Sequence, residues 1–494
     1  MAATPATGQL ERNAIGLPEV LFHSITHMAP AAAVAYSIIF ATTYAGGATP
    51  LAVVIALVAC LFVAVSIGQL ARHLPSAGGL YTYNAHGLGA SVGFLVAWGF
   101  MMLEPLIAPL LYLIFGYVLA SAFHTYWGWP IELWVPLVVV AAAIVWYLTY
   151  HGIQISTRTG VALGSFEILV FALLALFLIV HAGSNNTLAV FSPTTGNAKG
   201  FGSVFPGMIF AILAFGGFEA SAPLGEEARD PQRTIPRAVF LSCLLIGIFY
   251  LFCYYAATVY FGPDKMAAAS PNGFYYANGG DPWTGMAKDV WGIGWILVLL
   301  AIANSAIANS IAGANAATRV GFALGRIHLL PGALAAIHPV HKTPYVAVNV
   351  QAIGGIVVAI ALGWCFGSQA PLNAYALLGT IITILLIVIY ILTNLSSLSF
   401  YWRERHDEFN WFLHFVIPIV GTLIFIPVLV ASAGIDFAGL GITGLTYPAS
   451  LAIPVILVWM VIGVALLVYF RLRAPERIDQ TAELYISGEE TSGA

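Results

Sequence analysis

Apolar residues in this chain come in long runs separated by short polar connections. A helix that crosses the hydrocarbon core of a bilayer needs about 20 such residues. By that rule the pattern predicts twelve spans, at 17–45, 51–71, 90–122, 131–150, 160–181, 203–224, 237–261, 290–316, 346–366, 373–397, 411–433 and 449–470. The first and third are longer than a bilayer requires, so they are expected to tilt or to break. The expected fold class is an all-α polytopic membrane protein with twelve transmembrane helices.

Composition strengthens this reading. Of 494 residues, 60% are hydrophobic and 8% charged, against about 25% charged in a soluble domain. The mean hydropathy is +0.91. No polar stretch is long enough to build a separate soluble domain. The net charge of −4 is scattered over short loops and points to no nucleic-acid partner. Cys60, Cys243, Cys253 and Cys365 all lie in apolar runs without paired spacing. They are expected to be buried, reduced and structural, with no metal and no cofactor. The polar N-terminus carries both acid and base, unlike a cleaved signal peptide.

Lysine and arginine orient the chain. With twelve spans and both termini inside, Arg12, Arg72, Arg158, Arg229, Arg233, Arg237, Arg319, Arg326, Lys342, Arg403, Arg405, Arg471, Arg473 and Arg477 fall on the inner side, and Lys199, Lys265 and Lys288 on the outer. Fourteen against three follows the positive-inside rule. The expected location is the plasma membrane, with both termini cytoplasmic.

Two spans carry weak points. Pro30 sits within the first, followed by Ala31, Ala32 and Ala33. Proline lacks a backbone donor and clashes with the preceding turn. Gly216 and Gly217 lie within the sixth, just before Glu219, and paired glycines loosen a helix. Interrupted segments at corresponding places in two halves mark a transporter built from inverted repeats, with the site at the interruptions.

The spans hold three acids well inside, Glu104, Glu167 and Glu219, and no lysine or arginine clearly inside. An intramembrane carboxylate normally has a partner and marks a pathway. Here it is protonated, paired by an external cation, or wetted. Glu219 is the candidate for proton coupling; its plainer role is a structural bridge. Glu167 reads as a second coupling group or a counter-charge, or as a carboxyl packed on the polar face of span 8, which carries Asn304, Ser305, Asn309, Ser310 and Asn315. Ser305 and Asn309 share a helix face and are candidates for the coupling-ion site. Glu104, before Pro105, faces either the path or an interface. His27 is either a proton relay or a packing residue. The loop residues Glu226, Glu227, Arg229, Asp230, Arg233 and Arg237 read as a charge network at an inner gate, or simply as a solvated loop. The polar tail 474–494 reads as disordered.

Four stretches carry a resemblance: LARHLPSAGGLYTYNAHGLGASVGFLVAW (70–98), HGIQISTR (151–158), AFGGFEASAPLGEEARDPQRTIPRA (214–238) and ATRVGFALGRIHLLPGALAAIHPVHKTPYVAV (317–348). In order and spacing the chain resembles the amino acid–polyamine–organocation permease superfamily over nearly its whole length. The resemblance implies a leucine-transporter-like, five-plus-five inverted repeat. Spans 1–5 (17–181) and 6–10 (203–397) would form the repeats, spans 11–12 (411–470) the periphery, and 1–16 and 471–494 cytoplasmic ends. It implies alternating access, with substrate held between Pro30, Ala31, Ala32 and Ala33 on one side and Ala214, Phe215, Gly216 and Gly217 on the other. Phe215 would be an aromatic gate, the carbonyls of Ala214, Gly216 and Gly217 would receive an amine, and Tyr375 and Trp98 would be pocket walls.

Two departures stand out. Family members commonly carry Gly-Ser-Gly where this chain has about Pro30-Ala31-Ala32, and many carry a lysine near Glu167. The expected function is secondary transport of amino acids or related organic amines, coupled to protons or sodium. A polyamine or cationic amino acid exchanger, and a transport-inactive nutrient sensor, are the alternatives. An enzyme or a channel fits poorly, because no metal-diphosphate motif, HExxH, nucleophile–base pair or filter ring is present. Oligomeric state is not written in these residues.

Overall fold

A computed structural model describes residues 15–75, 78–152, 157–225, 227–269, 271–326, 330–366, 370–435, 442 and 444–483. Among these, an isolated bridge joins Ile15 and Ala228. The extended regular elements are all helices, as hydrocarbon demands of a backbone that must satisfy itself.

The chain opens with α1 (Leu17–His27), α2 (Pro30–Ala32), a π-turn at Ala33–Ser37, and α3 (Ile39–Ala45). It turns at Gly46–Ala48 into α4 (Thr49–Ala71), then forms α5 (Leu80–Leu88) and α6 (Ala90–Trp127). Next come α7 (Trp134–Tyr150), α8 (Thr157–Ala182), α9 (Phe201–Phe215), a 3-10 stretch at Phe218–Leu224, and α10 (Pro231–Phe261). The connection after α10 contains a 3-10 stretch at Phe274–Gly279 and α11 (Pro282–Trp291). The remaining helices are α12 (Trp295–Arg326), α13 (Tyr345–Cys365), α14 (Ala370–Arg403), α15 (Ile417–Ser432), α16 (Ala452–Arg473) and α17 (Pro475–Glu483).

Eleven helical runs among the described residues are long and apolar enough to cross a membrane. The difference from twelve arises at the start. The expected first span, 17–45, is cut into pieces, and its last piece runs on through the Gly46–Ala48 turn as Ile39–Ala71. α6 stays continuous for 38 residues despite Pro105 and Pro109. It packs along α12, and α4 packs along α10. Small residues let these pairs approach closely: a Cβ on Gly313 would lie 2.6 Å from Ile107, and one on Gly68 would lie 3.3 Å from Pro236.

Two expectations are corrected here. Cys365 is exposed, because α13 ends at it, whereas Cys60, Cys243 and Cys253 are buried. The start of the tail is ordered as α17. Ile478 is fully buried against Phe94 and Phe470, and Arg471 pairs with Asp479 at 2.8 Å. An apolar contact and an ion pair thus seat this polar helix; residues 484–494 lie outside the described set.

Candidate functional site

The first interruption lies just before the proline. α1 ends at His27, Ala29 has the left-handed φ of 47°, and Pro30 is the first residue of α2. Proline is at ease there, since the first turn of a helix leaves its N–H unpaired in any case. The second interruption follows Phe215. Gly217 has φ 115°, and the chain resumes as the 3-10 stretch. The two touch: a Cβ on Gly217 would lie 2.7 Å from the His27 carbonyl carbon.

A helix end leaves carbonyls without partners, and side chains from elsewhere supply them. The Tyr250 hydroxyl of α10 lies 2.9 Å from both the Met28 and the Ala214 carbonyl. It has one proton, so it donates to one of them at a time. One turn further on, Tyr254 donates to the Val34 carbonyl at 2.7 Å. Ser24 of α1 donates to the Phe218 carbonyl (3.0 Å) and accepts from the Ser221 amide (3.1 Å). The four broken ends are therefore held as one unit.

Beside this unit lies a cavity of about 50 Å³. On a measure in which one water occupies ~10–15 Å³, it has room for a few waters or a compact ligand. Its wall is built from His27, Met28, Ala29, Ala32, Ala33 and Ser37, from Gly216, Gly217 and Glu219, from Leu103, Glu104 and Ile107 of α6, from Asn309 of α12, and from Tyr375, Ile382 and Leu386 of α14, with further leucines. Glu219 accepts from the Gly217 amide (3.0 Å) and the Tyr390 hydroxyl (2.9 Å) through one oxygen. Glu104 Oε2 and Asn309 Oδ1 are buried without a partner among the described residues. Among the described residues no lysine or arginine lines the wall, and His27 is the one ionisable base there.

Of the residues expected to form the site, His27, Ala32, Ala33, Gly216, Gly217, Glu219 and Asn309 line this cavity. Pro30, Ala31, Ala214 and Phe215 do not. The Phe215 ring meets Tyr250 edge-on at 5.5 Å and is fully buried, so it faces α10 rather than the cavity. Glu167 and Ser305 stand behind the wall. Glu167 accepts from the Asn304 amide nitrogen and, at 3.5 Å, from the Ala31 amide. The Ser305 hydroxyl lies against it but makes no bond of hydrogen-bonding geometry. Tyr375 is a wall residue, bonded to Ser37 at 2.6 Å. Trp98 is not: it stacks on Trp459 of α16 at 4.5 Å, and each indole donates to the other's carbonyl at 2.9 Å. Sequence reasoning left Glu104 undecided and missed Tyr250 and Tyr390. The acid before Pro105 was a visible signal, whereas nothing in the pattern sets those tyrosines apart.

The two ends of the cavity differ. On the side of the 274–291 connection, Phe40 packs on Phe210, Tyr275 and Tyr375, with ring centres 5.3, 5.3 and 5.8 Å away, and all four are buried. On the other side His23 of α1 is exposed. The loop after the 3-10 stretch is joined to the N-terminal segment by backbone bonds, Ile15 N–H to Glu227 O (3.3 Å) and Arg229 N–H to Ile15 O (2.8 Å). Of the expected charge network, Asp230 and Arg233 pair at 3.8 Å on an exposed face; Glu226 lies outside the described residues.

A family model described as amino acid permease matches residues 15–467. The chain is similar to the low-affinity putrescine importer PlaP of Escherichia coli K12, 25% identical over 429 residues, covering 85% of this chain and 89% of the relative. It is similar to the branched-chain amino acid permease BcaP of Bacillus subtilis, 28% identical over 367 residues and 68% of each chain. It is also similar to the glutamate/serine transporter AimA of the same organism, 23% identical over 323 residues, covering 62% of this chain and 58% of that one.

Proposed function

This chain belongs to the amino acid permease family, a family of transporters rather than enzymes, and from that premise we propose that it carries a small organic amine across the plasma membrane by alternating access. The observation that carries the reading is the placement of Glu104 and Glu219 on one cavity wall that has no lysine or arginine among the described residues. Two carboxylates facing a low-dielectric space favour a ligand that brings positive charge. The start of α2 favours an amine over an amino acid. Pro30 has no amide hydrogen, the Ala31 amide points to Glu167 and the Ala33 amide to Ala29 O. Little of that helix end is left to bind a substrate carboxylate.

In this reading Glu219 couples transport to protons, because it lines the cavity and sits on the second interruption. Glu104 is the other anionic contact, and Glu167 anchors α2 from behind. The apolar wall from α6 and α14 takes the carbon chain of the substrate. The inverted repeat supplies the rocking unit, with both termini cytoplasmic and the 274–291 connection outside. The packed aromatic layer on that side and the exposed His23 on the other correspond to an inward-facing state.

The test is thermal stability in detergent against a panel of diamines, basic, neutral and acidic amino acids, and amines lacking a carboxylate. A ligand that binds the folded state raises the midpoint. Diamines are expected to stabilise the parent, and Glu104→Gln to weaken that shift. Stabilisation by carboxylate-bearing amino acids alone would sink the amine reading. Glu219→Gln is expected to weaken the ligand shift as well and to abolish pH-driven uptake into proteoliposomes. Uptake still driven by pH would remove Glu219 from the coupling role.

A further inference from the structure

A fourth acid is buried in the connection before α11, and nothing in the transport reading uses it. Asp281 ends the turn Gly279-Gly280-Asp281, between the 3-10 stretch Phe274–Gly279 and α11, and is only 2% exposed. The turn is pressed onto the helices beneath it. Tyr117 of α6 donates to the Gly279 carbonyl at 2.8 Å. Gly280 has φ 90°, and a Cβ on it would lie 2.9 Å from Leu372 of α14 and 3.1 Å from the Tyr117 hydroxyl. The Asp281 carboxylate accepts from the Thr284 amide at 3.3 Å, capping α11.

That cap alone does not account for its surroundings. The Tyr36 hydroxyl, on the π-turn of the first span, is sealed from solvent beside the carboxyl, and it has no bond of hydrogen-bonding geometry. The Thr284 hydroxyl is likewise buried without one. The ionisable groups that face Asp281 are Tyr36 from the π-turn and Tyr117 and Tyr126 from α6. On α11 itself, Lys288 lies over the Tyr126 ring at 4.4 Å, and Asp289 acts on the same tyrosine. Among the described residues no cation forms an ion pair with Asp281. Burial in this seat pushes the Asp281 carboxyl from 3.8 up to about 6.

We propose that Asp281 is a proton-reading group of an outer lid: it takes a proton from the outside water when the 274–291 connection seats over Tyr36, and returns it when the connection lifts. The proposal rests on the reading that this face is outside and opens during transport. Its sign follows from linkage. The closed lid holds the acid with the raised value, so closing takes up a proton and acid favours the closed form. The advantage is complete below the ordinary carboxyl range and vanishes above about pH 6. Between pH 7 and pH 5 the closed-to-open ratio rises about tenfold for these two values.

The test uses the full chain in proteoliposomes, with Cys365→Ser to remove the exposed thiol and Ser37→Cys as a reporter on the cavity wall. A membrane-impermeant, positively charged methanethiosulfonate is applied from outside. Its rate falls at low pH through thiol chemistry alone, so the reference is the same reporter carrying Asp281→Asn. Asparagine caps a helix as well as aspartate does but cannot titrate, and Asp281→Ser serves as a second non-titrating cap. From pH 7 to pH 5 the parent should lose about ten times more labelling rate than either variant. Equal losses in parent and variants overturn the lid proposal while leaving transport through the cavity standing. No labelling from outside at any pH overturns both readings, because the lid then does not open on that side.

Discussion

The interruption at Met28–Ala29 and the one at Gly216–Gly217 lie against each other, yet they are built from unlike residues. The first is an alanine held in the left-handed region, followed by a proline that restarts the helix. The second is a glycine pair, one of which takes a φ of 115°. An alanine at positive φ is strained by about 1–2 kcal/mol, and a glycine is not. The asymmetry follows from space. A Cβ at Gly217 would collide with the His27 backbone, while Ala29 has the cavity in front of it. The crowded break needs glycine for its volume as well as its backbone freedom, and the roomy break tolerates a methyl group.

Substitutions can break or sharpen this contrast. The largest effect is expected from Gly217→Ala, which adds strain at positive φ and overlap with a backbone that cannot yield. It should lower stability by about 3 kcal/mol or more. Gly216→Ala is the internal control: its φ is −52°, and its nearest neighbour is the movable tip of Leu386 at 2.9 Å. It should lose no more than about 1 kcal/mol. Equal drops in the two thermal midpoints would end the argument from crowding. A smaller effect is expected from Tyr250→Phe, which takes the shared donor from both breaks. Leaving buried carbonyls unpaired costs about 1–3 kcal/mol, so denaturant unfolding in detergent should shift by that amount. Unchanged stability would mean that water replaces the hydroxyl. The smallest effect, and the opposite in sign, belongs to Ala29→Gly. Relief of the left-handed strain should stabilise by about 0.5–1 kcal/mol. Destabilisation would show that the alanine methyl is needed for packing.

Much of this was legible in the sequence because membranes write strongly. The apolar runs marked the stretches that form the long helices. The proline and the glycine pair located both interruptions to within about two residues. Finer features depend on rotation about a helix axis, which spacing alone does not carry. Phe215 adjoins the glycines in sequence but turns toward Tyr250, and Ala214 offers its carbonyl to a tyrosine rather than to the cavity. Glu104 showed as an acid before a proline, yet which face it took depended on the packing of α6 on α12. Asp281 looked like any loop acid, because burial under a connection leaves no periodic trace. The tail misled for the opposite reason: its composition is polar, and an isoleucine buried on Phe94 and Phe470 together with the Arg471–Asp479 pair seats it.

The Tyr250 bridge also has a consequence in time. Its hydroxyl and the Met28 carbonyl it serves are 222 residues apart in the chain, and Ser24 is 194 residues from Phe218. A ribosome adding about 5–20 residues per second needs roughly 10–45 s to cover the longer interval. Throughout that interval the Met28 carbonyl lacks the hydroxyl that serves it in the folded chain. A nascent chain halted before α10 lacks the Tyr250 hydroxyl, so the end of α1 waits on a helix made long after it.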